Sequence, residues 1–236
     1  MAFYVFNGRR GLIWFLRGVM GLLLVLAAVA AVEEVAFTTA LREPVYRGTE
    51  KRKEMALTVN VVWGEEYLPA MLEILRREKV AATFFIGGQW AEDNPKLLQK
   101  IAAYGHEIGS HGYSHPHPTA LSRQENREEL IKTEKIIKKI TGRKVKLFAP
   151  PYGEHNQEVL DVAAELGYRT IMWTADTIDW QRPAPEVIVR RVVEKAGNGV
   201  IVLMHPTEPT VKALPEMIRQ LKQRGYRLVT VSRLLQ

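Results

Sequence analysis

From Met55 to the C-terminus, short β-branched or aromatic runs alternate with longer segments of helical period, a pattern that commits a chain to consecutive βα units on a parallel sheet. Seven such runs are present: Ala56–Val62, Ala82–Ile86, Glu107–Ser110, Val145–Phe148, Thr170–Thr174, Val200–Met204 and Leu228–Val231. Helical segments fall between them. The clearest is Arg123–Ile140, where Leu130, Ile131, Ile136, Ile137 and Ile140 recur near helical period and charges fill the other face. Seven units in about 180 residues suit a compact barrel, fully closed or not, with an active site in the loops that follow the strand C-termini. A doubly wound open sheet is the alternative. No internal repeat is visible.

With 47% hydrophobic and 25% charged residues among 236, the chain has material for a core, which excludes disorder as its main state. The formal net charge of +7 is unevenly spread. Residues 1–53 carry eight basic and four acidic side chains, so the rest holds only +3, which calls for no nucleic-acid partner. There is no cysteine, so a metal would have to be held by His and carboxylates.

The N-terminus is membrane-directed. Arg9, Arg10 and Arg17 precede an uncharged stretch, Gly18–Val32, which ends at Glu33 and Glu34. Residues 1–40 read as a signal anchor or a signal peptide. The run is short for a full span unless Gly11–Leu16 and a snorkelling Arg17 are added, and Ala28-Val29-Ala30 has the small-x-small form of a cleavage site. By the positive-inside rule the arginines stay cytoplasmic and the chain after residue 33 lies outside, membrane-anchored or secreted. Residues 41–54 are polar and aperiodic and read as a linker; 55–236 form the body.

Polar and catalytic-type residues gather where the strands end: Asn60 with Glu65 and Glu66, then His111 and His115, then Pro150-Pro151-Tyr152-Gly153, then Asp176 and Asp179-Trp180, then His205. Five loops would converge on one mouth. No glycine-rich phosphate loop follows the first strand and no Gly-x-Ser-x-Gly is present, which disfavours nucleotide binding and a serine nucleophile.

These residues carry a resemblance. From about Met55 to Gln236 the chain resembles the polysaccharide deacetylases of the NodB-homology type, carbohydrate esterase family 4, in their sporulation-associated bacterial branch. The matching stretches are ALTVNVVWG at 56–64, KVAATFFIGG at 79–88, GHEIGSHGYSH at 105–115, FAPPYG at 148–153, DTIDW at 176–180 and IVLMH at 201–205. The resemblance implies a deformed (β/α)7 barrel preceded by the membrane helix. It also implies a divalent metal, usually zinc, used to remove N-acetyl groups from peptidoglycan or a chitin-like polysaccharide. In such chemistry the metal polarises the acetamide and activates a water, a carboxylate takes the water's proton, and a histidine protonates the departing amine. By position, His111 and His115 match the metal imidazoles, His205 the general acid, and Asp179 the carboxylate that orients it. Trp180 and Leu203 match the apolar wall around the acetyl group, and Tyr152 would turn its backbone N–H to the developing oxyanion.

The departures concern the same chemistry. Asn60 stands where the family has its base aspartate, and an amide cannot take that proton. The second aspartate, a metal ligand, is replaced by the apolar Val61-Val62, and the third-motif arginine is Ala149. The arginine normally pairs with the base carboxylate, and a buried guanidinium without its partner would be strongly destabilising, so losing both is coherent. Glu65 or Glu66 could supply a replacement carboxylate, or be acids favoured near a helix N-terminus. The alternative function is a catalytically inactive glycan-binding or scaffold protein on the same fold. Elsewhere, His106 reads as structural, His117 and His155 as exposed loop residues, Asp176 as a turn cap, and Trp63, Trp90 and Trp173 as either core or sugar platform.

Overall fold

The computed structural model describes residues 16, 17, 19–23, 25, 26 and 41–236, in two units divided at Ala40. In the first unit the described residues are helical, and the Ala28-Val29-Ala30 cleavage candidate lies outside the described residues. No helix among the described residues is long and apolar enough to cross a membrane.

In the second unit eight strands form one parallel sheet: β1 (Glu54–Val61), β2 (Thr83–Ile86), β3 (Glu107–Ser110), β4 (Leu147–Phe148), β5 (Arg169–Thr170), β6 (Ala175–Asp176), β7 (Ile201–Met204) and β8 (Arg227–Val229). Around the sheet the order is β5-β4-β3-β2-β1-β7-β6, so the strands follow the chain around a curled sheet, with β1 between β2 and β7. A doubly wound sheet would reverse direction at a switch point, whereas this circular order is that of a barrel. β5 and β6 are not paired with each other. Across that seam runs the segment expected to be a linker, with Val45 bridged to Ile171 beside β5 and Arg47 to Val200 beside β7. It is held there by Val45 N–H to Thr170 O (2.9 Å), Met172 N–H to Val45 O (2.8 Å) and Gly48 N–H to Gly199 O (2.8 Å).

The expected strand at 170–174 differs from what forms. Residues 171–174 leave the edge beside β4 and cross the seam, where Thr174 N–H reaches Ile201 O (2.9 Å), and β6 then pairs with β7. One expected strand thus becomes two short ones on opposite sides of the opening.

Helices α1 (Leu68–Arg77), α2 (Gly88–Asp93), α3 (Pro95–Ala103), α4 (Arg123–Thr141), α5 (Gln157–Glu165), α6 (Pro185–Glu194) and α7 (Glu208–Gln223) follow the strands. They pack on the outward side chains, Leu57, Val59 and Val61 of β1 among them. The expected helix at 123–140 is α4. It opens with a capping box between Ser122 and Glu125 and stops at Gly142, whose φ of 73° suits a residue without Cβ.

The inward side chains form a second, smaller core of Ala56, Phe85, Leu147, Ala149, Ile171 and Ile201. A short last helix, α8 (Val231–Leu234), contributes Val231 and Leu234 to it. Val231, expected to end the last strand, is instead the first residue of this helix, and its N–H is taken by Thr83 Oγ1 at 2.9 Å. Truncating Leu234, fully buried in the interior core, should cost about 2–5 kcal/mol, read in urea melts of Leu234→Ala as a lower midpoint at unchanged slope.

Candidate active site

The site is assembled from strand C-termini. Alternation along β1 turns Ala56, Thr58 and Asn60 inward, and Asn60 is the last inward residue before the strand ends. Parallel register sets Val59 beside Met204 and Asn60 beside Phe85, so His205, one residue past Met204, is level with Asn60. His111 follows β3, with its N–H on Ile86 O at 2.9 Å. The mouth thus has His205 on one side of Asn60 and His111 on the other.

His111 is buried, and its Nδ1 lies 2.7 Å from Ala149 O. Only a protonated Nδ1 can bond a carbonyl, so Nε2 keeps a lone pair. His115 stands edge-on to it, ring centroids 4.9 Å apart, and Tyr152 stands edge-on to His115 at 4.6 Å. His115 and Tyr152 both have left-handed backbone (φ 58° and 59°), a cost of the kind that clusters at functional sites. The loop between the imidazoles is fastened by Glu129 of α4, which accepts Tyr113 N–H (2.6 Å), Ser114 N–H (2.9 Å) and Ser114 Oγ (2.9 Å).

On the other side, Asp179 is fully buried and both of its carboxylate oxygens are engaged. Its Oδ1 takes His205 Nδ1 at 2.8 Å, while Oδ2 takes His205 N–H at 2.7 Å and the Thr210 hydroxyl at 2.6 Å. Thr207 caps α7 and sits 2.8 Å from Thr210. Trp63 stacks on the His205 ring at 5.8 Å and 9°. This arrangement aims His205 Nε2 into the mouth, as a proton donor or hydrogen-bonding group. Leu203 is buried on the inward face two residues before His205, while Trp180 (57% exposed) and Tyr152 (55%) stand on the rim.

The remaining candidates divide. His106 is structural, its Nδ1 accepting Ala82 N–H at 3.2 Å. Asp176 caps its turn through Ile178 N–H at 2.8 Å. Trp90 is core, Trp173 packs on the interior core and Trp63 is at the mouth. His117 is exposed and stacks on Tyr152 at 4.2 Å, whereas His155, expected to be exposed, is half-buried by its bond to Gly153 O. Thr207, Thr210 and Glu129 were not foreseen. The Thr-x-x-Thr spacing after His205 is a helix-cap signal, while nothing local ties Glu129 to a loop 15 residues away.

The donor set does not fit a catalytic zinc. Two imidazoles stand edge-on to one another, but among the described residues no group of three His, Asp or Glu side chains could hold a metal ion. Glu65 and Glu66 are exposed, and Val61, where the family has its second aspartate, is buried in the outer core. Catalytic zinc takes three protein ligands plus water.

The polysaccharide deacetylase family model matches residues 47–171. An uncharacterized protein of Bacillus subtilis is 48% identical over 193 residues, covering 82% of this chain, and the chain spans 60% of that relative's length. A peptidoglycan-N-acetylglucosamine deacetylase of Bacillus cereus is 35% identical over 196 residues, covering 81% of this chain and 71% of its own. Among solved structures, a family 4 carbohydrate esterase pseudoenzyme from Bacillus anthracis superposes with a TM-score of 0.81 at 46% identity, covering 83% of this chain and 69% of its own.

Burial holds His106 down to about 4, and burial followed by the neighbouring His115 and His205 holds His111 down to about 3; burial lowers His115 as well. These groups take up protons in the unfolded chain near 6.5 but resist them when folded. Their contribution to stability is therefore complete above pH 6.5 and is lost as the pH falls toward 3–4. Urea melts should show stability falling by a few kcal/mol between about pH 7 and 4. His111→Gln should flatten that slope.

Proposed function

Since the chain belongs to the polysaccharide deacetylase family, we propose that it engages N-acetylated cell-wall glycan, peptidoglycan or a chitin-like polymer, at the strand C-terminal mouth without hydrolysing it. The observation that carries this reading is Asn60. It occupies the inward position level with His205, where a base would have to act, and its amide cannot accept the proton of an attacking water. The missing third metal donor argues the same way. The rim aromatics Tyr152 and Trp180 offer faces on which sugar rings stack. In this reading residues 1–40 hold the domain outside the cytoplasm at the membrane, where the wall polymer is within reach, and the protein serves sporulation.

A second reading, deacetylation, is favoured by the intact His205–Asp179–Thr210 chain and the paired imidazoles. Acetate release from N-acetylglucosamine oligomers and peptidoglycan, with and without zinc, separates the two. The expected result is binding with no release. Release by the unaltered protein would establish the second reading and overturn the first. Asn60→Asp with Ala149→Arg should restore the carboxylate and its guanidinium partner, and any zinc-dependent release it gains would come from those two positions. Trp180→Ala should weaken oligomer binding about tenfold, measured by calorimetry, an amount typical of a lost stacking face.

A further inference from the structure

Asn60 is 5% exposed, faces the mouth, and its Oδ1 finds no hydrogen-bond partner among the described residues. A buried acceptor left unpaired carries its full desolvation cost, and a donor from a bound molecule would relieve it. Ala149 and Asp179 offer such a molecule no open counter-charge. Ala149 is a buried apolar residue of the interior core, and the Asp179 carboxylate is closed off by His205 and Thr210 with no exposed surface. Thr58 and Leu203 continue the inward wall on β1 and β7, side by side in register.

Resting on the glycan-binding reading above, we infer that this mouth discriminates by acetylation state, holding N-acetylated amino sugar and rejecting the free-amine form, with Asn60 as the specificity-determining residue. An acetamide is neutral and carries one N–H and one carbonyl, which is the complement of the Asn60 side-chain amide. Either form of the sugar could donate a hydrogen bond to Oδ1; charge is what separates them. The ammonium of a deacetylated residue would lose its hydration against a wall whose near carboxylate is already occupied, and an ion desolvated without a counter-charge is strongly disfavoured. A carboxylate at position 60 would reverse this by offering the ammonium a partner. Replacing Asp by Asn therefore removes a base and changes which form of the polymer the site prefers.

The test compares an N-acetylglucosamine pentamer with a glucosamine pentamer, titrated into the full chain by calorimetry at about pH 6, where an amine carries its proton. The expected result is at least a tenfold preference for the acetylated oligomer, reduced by about tenfold in Asn60→Asp. Equal binding of the two by the parent overturns the inference while leaving glycan binding in place. An unchanged ratio in folded Asn60→Asp overturns it too. Failure to bind either oligomer overturns the glycan-binding reading itself.

Discussion

The site depends on β1, a strand buried along all eight residues and hydrogen-bonded along both edges. A buried backbone cannot leave N–H or C=O groups unpaired, so the strand's depth in the sheet admits no slippage. β8 serves its first residues and β2 its last on one edge, while β7 serves the other. A shift by one residue would turn Leu57 and Val59 into the barrel and Asn60 into the helix layer. The placement of Asn60 opposite His205 is thus a consequence of satisfying β1's peptide groups.

Two charged groups of the mouth have been handled in opposite ways. Asp179 is kept, fully buried, because three donors from two elements surround it, and a buried carboxylate with such partners tolerates the loss of water. Where the resemblance implies a base carboxylate and a guanidinium, the chain carries the neutral Asn60 and Ala149. Had such a pair lost one member alone, the other would be an uncompensated buried ion. At position 149 the backbone still has a task, since its carbonyl fixes the tautomer of His111. The His205 side of the mouth is therefore fully hydrogen-bonded, while the Asn60 and Ala149 side carries no charge.

Most strands were legible because β-branched runs in a parallel sheet are buried on both faces and stand out as continuous apolar segments. Where the reading slipped, the cause was tertiary. Residues 170–174 have the composition of one strand, but the barrel does not close there, and the chain crosses the seam between Thr170 and Ala175. Val231 has high strand propensity, yet it begins a helix because the bottom of the interior core needed an apolar plug. The polar stretch 41–54 reads as a linker because its groups bond to backbone on distant strands, and such bonds leave no periodicity. At the site, His111, His115, Asp179 and His205 were visible as residue types clustered after strands. Glu129 and Thr210, which hold the loop and the carboxylate, come from helices that meet those groups only in space.

The order of residues alone established that this is a parallel α/β chain, that its polar groups collect at strand C-termini, and that a base and a metal ligand are missing from their expected positions. The first two conclusions follow from local pattern and alternation, which need no knowledge of distant contacts, and the third from the resemblance of the motifs, which sets Asn60 and Val61-Val62 against a base and a metal ligand. Only the folded chain decided that the barrel is left open between β5 and β6 and bridged by residues 45–47, that no carboxylate joins the two imidazoles among the described residues, and that Asn60 is left with an unpaired oxygen. Each of these depends on sheet curvature and register, which set the separations between residues far apart in sequence and which no stretch of the chain encodes by itself.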